Sequence, residues 1–240
     1  MPTNKILVLE KALSILSHFY TNSELSVKEI EILTGINRTT VFKSLHSFID
    51  WGYLEQDPVS KRYRASLKIL GMSGTVLRRM NVVEIARPYL LTLRDETGET
   101  AALAVLNGFD ILIADWESSF YDAHINSYVG KKIPAYCSGA GKAILANLSE
   151  EEITGLLKNH ELNRCTHNTI TNSEQLLKEL KRTLNRGYGI SIEEFGTDVI
   201  AVAAPIFDIN NKVVASIASD SLKARIKNNS QIEKIGKAVM

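Results

Sequence analysis

Apolar residues near the start of the chain recur at helical spacing. Val8, Ala12, Ile15, Leu16 and Phe19 predict a first helix ending near Tyr20. After the loop Thr21-Asn22-Ser23, Ser26 stands three residues before Glu29, the signature of a capping box, with Val27, Ile30 and Leu33 along one face. Thr34-Gly35 stops this short helix, because glycine accepts the left-handed conformation that a tight turn needs. Asn37 caps a third helix whose buried stripe is Val41, Leu45 and Phe48, closed by Gly52. Two polar-flanked strands follow, Tyr53–Gln56 and Lys61–Arg64, around the turn Asp57-Pro58-Val59-Ser60. Two helices joined by a short glycine turn, then a hairpin with a basic return strand, predict a winged helix-turn-helix over roughly Lys5 to Leu67.

Leu67, Ile69, Leu70 and Val76 continue as a connecting helix, and the pattern restarts near Arg78-Arg79-Met80-Asn81. A long amphipathic helix is expected over Val83–Thr97, interrupted early by Pro88 and closed by Gly98. Strands and helices then alternate. Thr100–Leu106 and Asp110–Trp116 flank Asn107-Gly108, a hairpin signal. Ser138-Gly139-Ala140-Gly141-Lys142 opens a helix over Ala143–Leu148. Ser149 caps the next, Ser173–Arg186 forms another, Ile200–Phe207 and Val213–Ser219 are strands, and Gln231–Val239 ends the chain as a helix. The fold class is α/β (α+β), divided at residues 1–65, 66–80 and 81–240.

Composition narrows the class. Of 240 residues, 45% are hydrophobic and 23% charged, the balance of a globular protein. No apolar run is long enough for a membrane span, and the first residues lack a signal peptide's core, so a cytoplasmic location is expected. Cys137 and Cys165 are too few for a disulfide framework. Residues 1–78 hold ten basic against seven acidic side chains, which leaves the remainder with a net charge of −2. The positive excess therefore sits on the helix-turn-helix, where a nucleic-acid footprint would need it.

The third helix turns Arg38, Thr39, Thr40, Lys43, His46 and Ser47 outward, short polar and basic groups suited to base edges and phosphates. Ser26 and Lys28 are placed to approach the backbone, and Arg62 and Arg64 on the wing to track phosphates or the minor groove. Double-stranded DNA is the expected partner.

By these motifs the chain resembles the IclR family of bacterial transcriptional regulators over nearly its whole length. The matching stretches are Glu10–Leu16, Thr39–Leu45, Gly52-Tyr53-Leu54, Ser138–Ala146, Arg186–Ile190, Glu193-Glu194-Phe195 and Ala203–Asp208. The resemblance implies a winged-helix domain, a linker helix and a GAF-like domain that senses a small metabolite. It further implies homodimers or tetramers acting as repressors or activators, with repression the expected direction. Carried over residue by residue, the effector pocket comprises Ser138, Gly139, Ala140, Ser191, Ala201, Ala218, Ser219 and Asp220.

This chain departs from the family there. Ser191 replaces a frequent Asp, Ala201 a frequent Cys, Ala218 and Asp220 frequent serines. A carboxylate in place of hydroxyls disfavours a second carboxylate, which points to a polyol, sugar-derived or amine-bearing effector rather than a simple keto acid, provided Asp220 points inward and does not merely cap the following loop.

No cofactor motif is present, and His124, His160 and His167 lack ligand or triad spacing. Two rivals stay open: a ligand-independent DNA-binding protein whose second domain only assembles the oligomer, and a thiol enzyme using Cys137 beside a helix N-terminus. A metal would require His124, Cys137 or Cys165 to converge in space.

Overall fold

The computed structural model describes residues 6–240, with the backbone alone for residues 77–79. Lys5, the expected start of the DNA-binding segment, and the side chain of Arg78 lie outside the described part. The chain divides between Arg79 and Met80 into two compact units.

In the first unit, α1 (Leu7–Ser17) runs into a single 3-10 turn at His18–Tyr20, followed by α2 (Val27–Thr34) and α3 (Arg38–Asp50). The local chemistry sets their ends. The Ser26 hydroxyl accepts from the Glu29 N–H, and the Glu29 carboxylate accepts from the Ser26 N–H at 2.7 Å. Gly35 takes φ +65°, and the Asn37 side chain accepts from the Thr40 N–H at 3.0 Å. The hairpin β1 (Leu54–Gln56) and β2 (Tyr63–Ala65) follows, and Leu25 pairs with Tyr63 along its free side. Ile15, Ile30, Val41, Leu45, Leu54 and Tyr63 form the core. Val8, which shares the helical spacing of Ile15, is exposed, because the first turn of α1 runs beyond that cluster. The connecting helix α4 (Lys68–Arg79) ends the unit.

The second unit is built on a six-stranded antiparallel sheet. Its strands are β3 (Thr100–Asn107), β4 (Asp110–Glu117), β5 (Lys132–Pro134), β6 (Gly189–Ile192), β7 (Val199–Phe207) and β8 (Val213–Leu222). Their spatial order is β5-β4-β3-β8-β7-β6. The helices are α5 (Asn81–Thr97), α6 (Gly139–Leu145), α7 (Glu150–Asn159), α8 (Ser173–Arg186) and α9 (Asn229–Val239).

Strand alternation sorts the core into two layers. Ala101, Leu103, Val202 and Ile217 face α5 and α9, whereas Ala102, Ala104, Ala203 and Ala218 face α6 and α8.

Three expectations need correction. α5 continues through Pro88, whose missing N–H costs the helix a single hydrogen bond. β5 and β6, three and four residues long, were not expected, being too short to show a period.

The helix at the glycine motif begins at Gly139 rather than Ala143, with Ser138 as its cap. The glycines there serve close packing. A Cβ on Gly139 would lie 2.6 Å from the Ala201 carbonyl oxygen, and one on Gly141 would collide with the Ala135 backbone. All seven residues of α6 are buried.

Candidate nucleic-acid interface and effector cavity

α3 presents Arg38, Thr39, Lys43, His46 and Ser47 to solvent, with Thr40 half-buried at the helix start. The charged side-chain groups of Arg38, Lys43 and Lys28 make no hydrogen bond or ion pair among the described residues. Their charges are therefore free for a polyanion. His46 packs against Phe42 with the rings tilted at 58° and their centroids 4.4 Å apart, and the Ser47 hydroxyl donates to the Lys43 carbonyl. Ser26 is half-buried and its hydroxyl belongs to the capping box.

The wing arginines are engaged inside the unit. Arg62 donates to Glu29 at 2.7 Å and to the Glu24 carbonyl at 3.1 Å, pinning the wing to the start of α2. The Ser26 N–H and hydroxyl, with Arg62, hold the Glu29 carboxyl at about 2. Arg64 donates to Glu55 at 2.6 Å. Lys61, at the hairpin tip with φ +60°, is the wing cation left in solvent; composition offered no reason to rank it above its neighbours.

In the second unit, Ser138, Gly139, Ala140, Ser191, Ala201, Ala218 and Asp220 line one cavity of about 150 Å³ between α6 and the sheet. Ser219 does not. Its side chain takes the opposite strand parity, and its hydroxyl is buried without a partner away from the cavity.

Side chains of Ile111, Ile113, Ile133, Phe195 and Val199 complete apolar walls. The Ser138 hydroxyl donates to the Ala135 carbonyl and accepts from Gly141, while the Ser191 hydroxyl donates to the Cys137 carbonyl at 2.9 Å. Both are thus already used within the protein.

The Asp220 carboxylate makes no hydrogen bond among the described residues, so it caps no loop. Burial raises its carboxyl to about 6, opposed by the charge of Lys131 and assisted by Glu99. Lys131 also lines the cavity, its ammonium donating to the Asn126 carbonyl at 2.8 Å. Lys131 was invisible in the sequence, because it arrives on an irregular segment with no period.

A hollow of about 640 Å³ lies on the other face of the sheet beside α5 and α9. Its polar side chains are Tyr89, Thr92 and Glu96, all supplied by α5.

Behind the cavity, Lys142 donates to Glu194 at 2.6 Å in a buried pair. It ties α6 to the β6–β7 connection, against which Thr166 and Thr169 also donate. Burial raises the Glu194 carboxyl.

The Cys137 thiol is fully buried and donates to the Pro134 carbonyl. Burial, followed by its neighbour Cys165, pushes its pKa up, away from a reactive thiolate. His124 contacts Ser118 and main-chain carbonyls. Among the described residues no three His, Cys, Asp or Glu side chains are arranged for a metal ion, and no helix is long and apolar enough to cross a membrane.

Residues 8–58 match the family model of the IclR helix-turn-helix domain, and residues 74–240 that of the bacterial transcriptional regulator IclR C-terminal region. The transcriptional repressor IclR of Escherichia coli is 29% identical over 227 residues, covering 93% of this chain and 83% of that protein. The regulator BhcR of Paracoccus denitrificans is 30% identical over 213 residues, covering 89% and 76%. The Thermotoga maritima IclR crystal structure is 31% identical with a TM-score of 0.71, covering 98% of this chain and 95% of that one. The two family models between them take in the helix-turn-helix of the first unit and the whole sheet of the second, and the chain belongs to the IclR family of DNA-binding transcriptional regulators.

Proposed function

We propose that the protein is a repressor that binds an operator as a homodimer or tetramer and is released or retained by a small metabolite held in the 150 Å³ cavity. The observation that carries the DNA side is the unpaired, solvent-facing pair Arg38 and Lys43 on a helix capped at its entry. In this reading α3 enters the major groove, with Arg38, Thr39, Thr40 and Lys43 at base edges or phosphates, His46 and Ser47 behind them, and Ser26 and Lys28 on the flanking backbone. The wing contributes Lys61 and Arg64, while Arg62 positions it. Two protomers would set their recognition helices about one DNA turn, roughly 34 Å, apart. The parts act as a DNA-binding domain over 1–65, a linker helix over 66–80 and an effector and assembly domain over 81–240.

Selection of bound duplexes from a random pool, followed by gel-shift titration of Arg38→Ala and Lys43→Ala, tests this. A base contact should lose about 1–3 kcal/mol and relax sequence preference at one position, whereas a phosphate contact should weaken all sequences alike and lower the salt slope by about one. Unchanged binding in both variants would overturn the assignment of α3.

A further inference from the structure

Two opposite charges face the same small cavity without meeting. Asp220 on β8 and Lys131 beside β5 both line it, and no ion pair joins them among the described residues. Glu99, the other acid whose charge reaches Asp220, is itself held by Arg225 through a two-point pair at 2.6 and 2.5 Å. The remaining walls are apolar, and the hydroxyls of Ser138 and Ser191 already donate to main-chain carbonyls. A polyol entering here would find Asp220, Lys131 and the serine oxygens as its few partners, and each hydroxyl left against the apolar walls would be buried at a cost. A monocarboxylate would meet Lys131 but be repelled by Asp220, and a simple amine would leave Lys131 unanswered.

Taking the cavity as the effector site, as proposed above, we infer that it receives a small zwitterion, an amino acid whose ammonium group lies against Asp220 and whose carboxylate lies against Lys131. Size sets the rest. A cavity of about 150 Å³ accommodates a molecule near the size of benzene, roughly six heavy atoms, and its apolar walls suit a short aliphatic side chain. The raised carboxyl of Asp220 agrees with a site whose negative charge lacks its partner until a cation arrives.

Calorimetric titration of the full-length protein separates the alternatives, using L-alanine, L-lactate and pyruvate, which share one carbon skeleton, and the equivalent series built on valine. The amino acid of at least one series should bind, and its hydroxy and keto counterparts should bind at least about tenfold more weakly. Asp220→Asn should weaken the amino acid by about tenfold or more and strengthen the keto acid, a reversal that loss of folding cannot produce. Lys131→Met should weaken the amino acid and spare ethylamine. A keto acid that outcompetes the amino acid in the unaltered protein, an amino acid indifferent to Asp220→Asn, or silence from every compound would overturn the inference. Operator gel shifts with each compound keep the two readings apart. An amino acid that binds yet leaves operator affinity unmoved sustains the zwitterion site and removes the switch. Pyruvate that binds and moves operator affinity does the reverse.

Discussion

Asp220 shows how one side chain can set both a ligand and a stability profile. Its carboxyl is raised from 3.8 to about 6, chiefly because the folded protein withholds water from the charged form. The folded state therefore holds this proton more tightly than the unfolded chain does. Asp220 favours folding fully below about pH 4, and that contribution is lost as pH rises through about 6. Asp220→Asn removes the titration. Its melting temperature should match that of the unaltered protein near pH 4, exceed it increasingly between about pH 4 and 6, and keep that margin above, at about 2–4 °C for each kcal/mol in a chain of this size. A difference that stays flat across thermal scans from pH 4 to 8 would contradict the burial of this charge. Only the identity of Asp220 was legible in the sequence. That it looks into a cavity follows from strand parity on β8, and that parity also turns Ser219 away.

At the scale of elements, the glycines of α6 are set by close packing. Gly139 and Gly141 lie in the first turn of the helix, where the backbone presses on Ala201 and Ala135, and Gly189 on β6 lets that strand approach Gly139. Gly141→Ala has no room, since its new Cβ would meet main chain rather than a flexible tip. We expect a loss of about 1–3 kcal/mol or more, read as a lower urea midpoint for the second unit. An unchanged midpoint would mean that α6 can shift away from Ala135. The sequence showed the glycines but not their reason, because Gly139 is approached by Ala201 and Gly189 from distant strands, and Ala135 reaches Gly141 through a turn with no period. The first unit was far more legible. Its capping box, glycine turn and Asn cap are local interactions between residues three apart, and the structure contains each of them.

For the whole molecule, the consequence is two separate cores. Ile15, Ile30, Val41 and Leu45 pack in one, whereas Leu90, Leu103, Ile144 and Leu176 belong to clusters of the other unit. Units with their own cores should unfold separately, so scanning calorimetry is expected to resolve two transitions. Ser26→Ala, which removes the cap of α2 at a cost of about 1 kcal/mol, should lower one transition and leave the other in place. A single two-state transition displaced as a whole by Ser26→Ala would contradict that separation.

The sequence by itself determined the helix-turn-helix, the wing, the second unit's mixed character and the resemblance to a regulator family, because each rests on period, capping or motif order within a short stretch. Tertiary structure decided the rest. It committed Arg62 to Glu29 and left Arg38, Lys43 and Lys61 free. It brought Lys131 across three strands' width to the cavity of Asp220, sent Ser219 to the opposite face, and buried Lys142 against Glu194. These are encounters between residues remote in the chain, and no local pattern of hydrophobic and polar positions carries them.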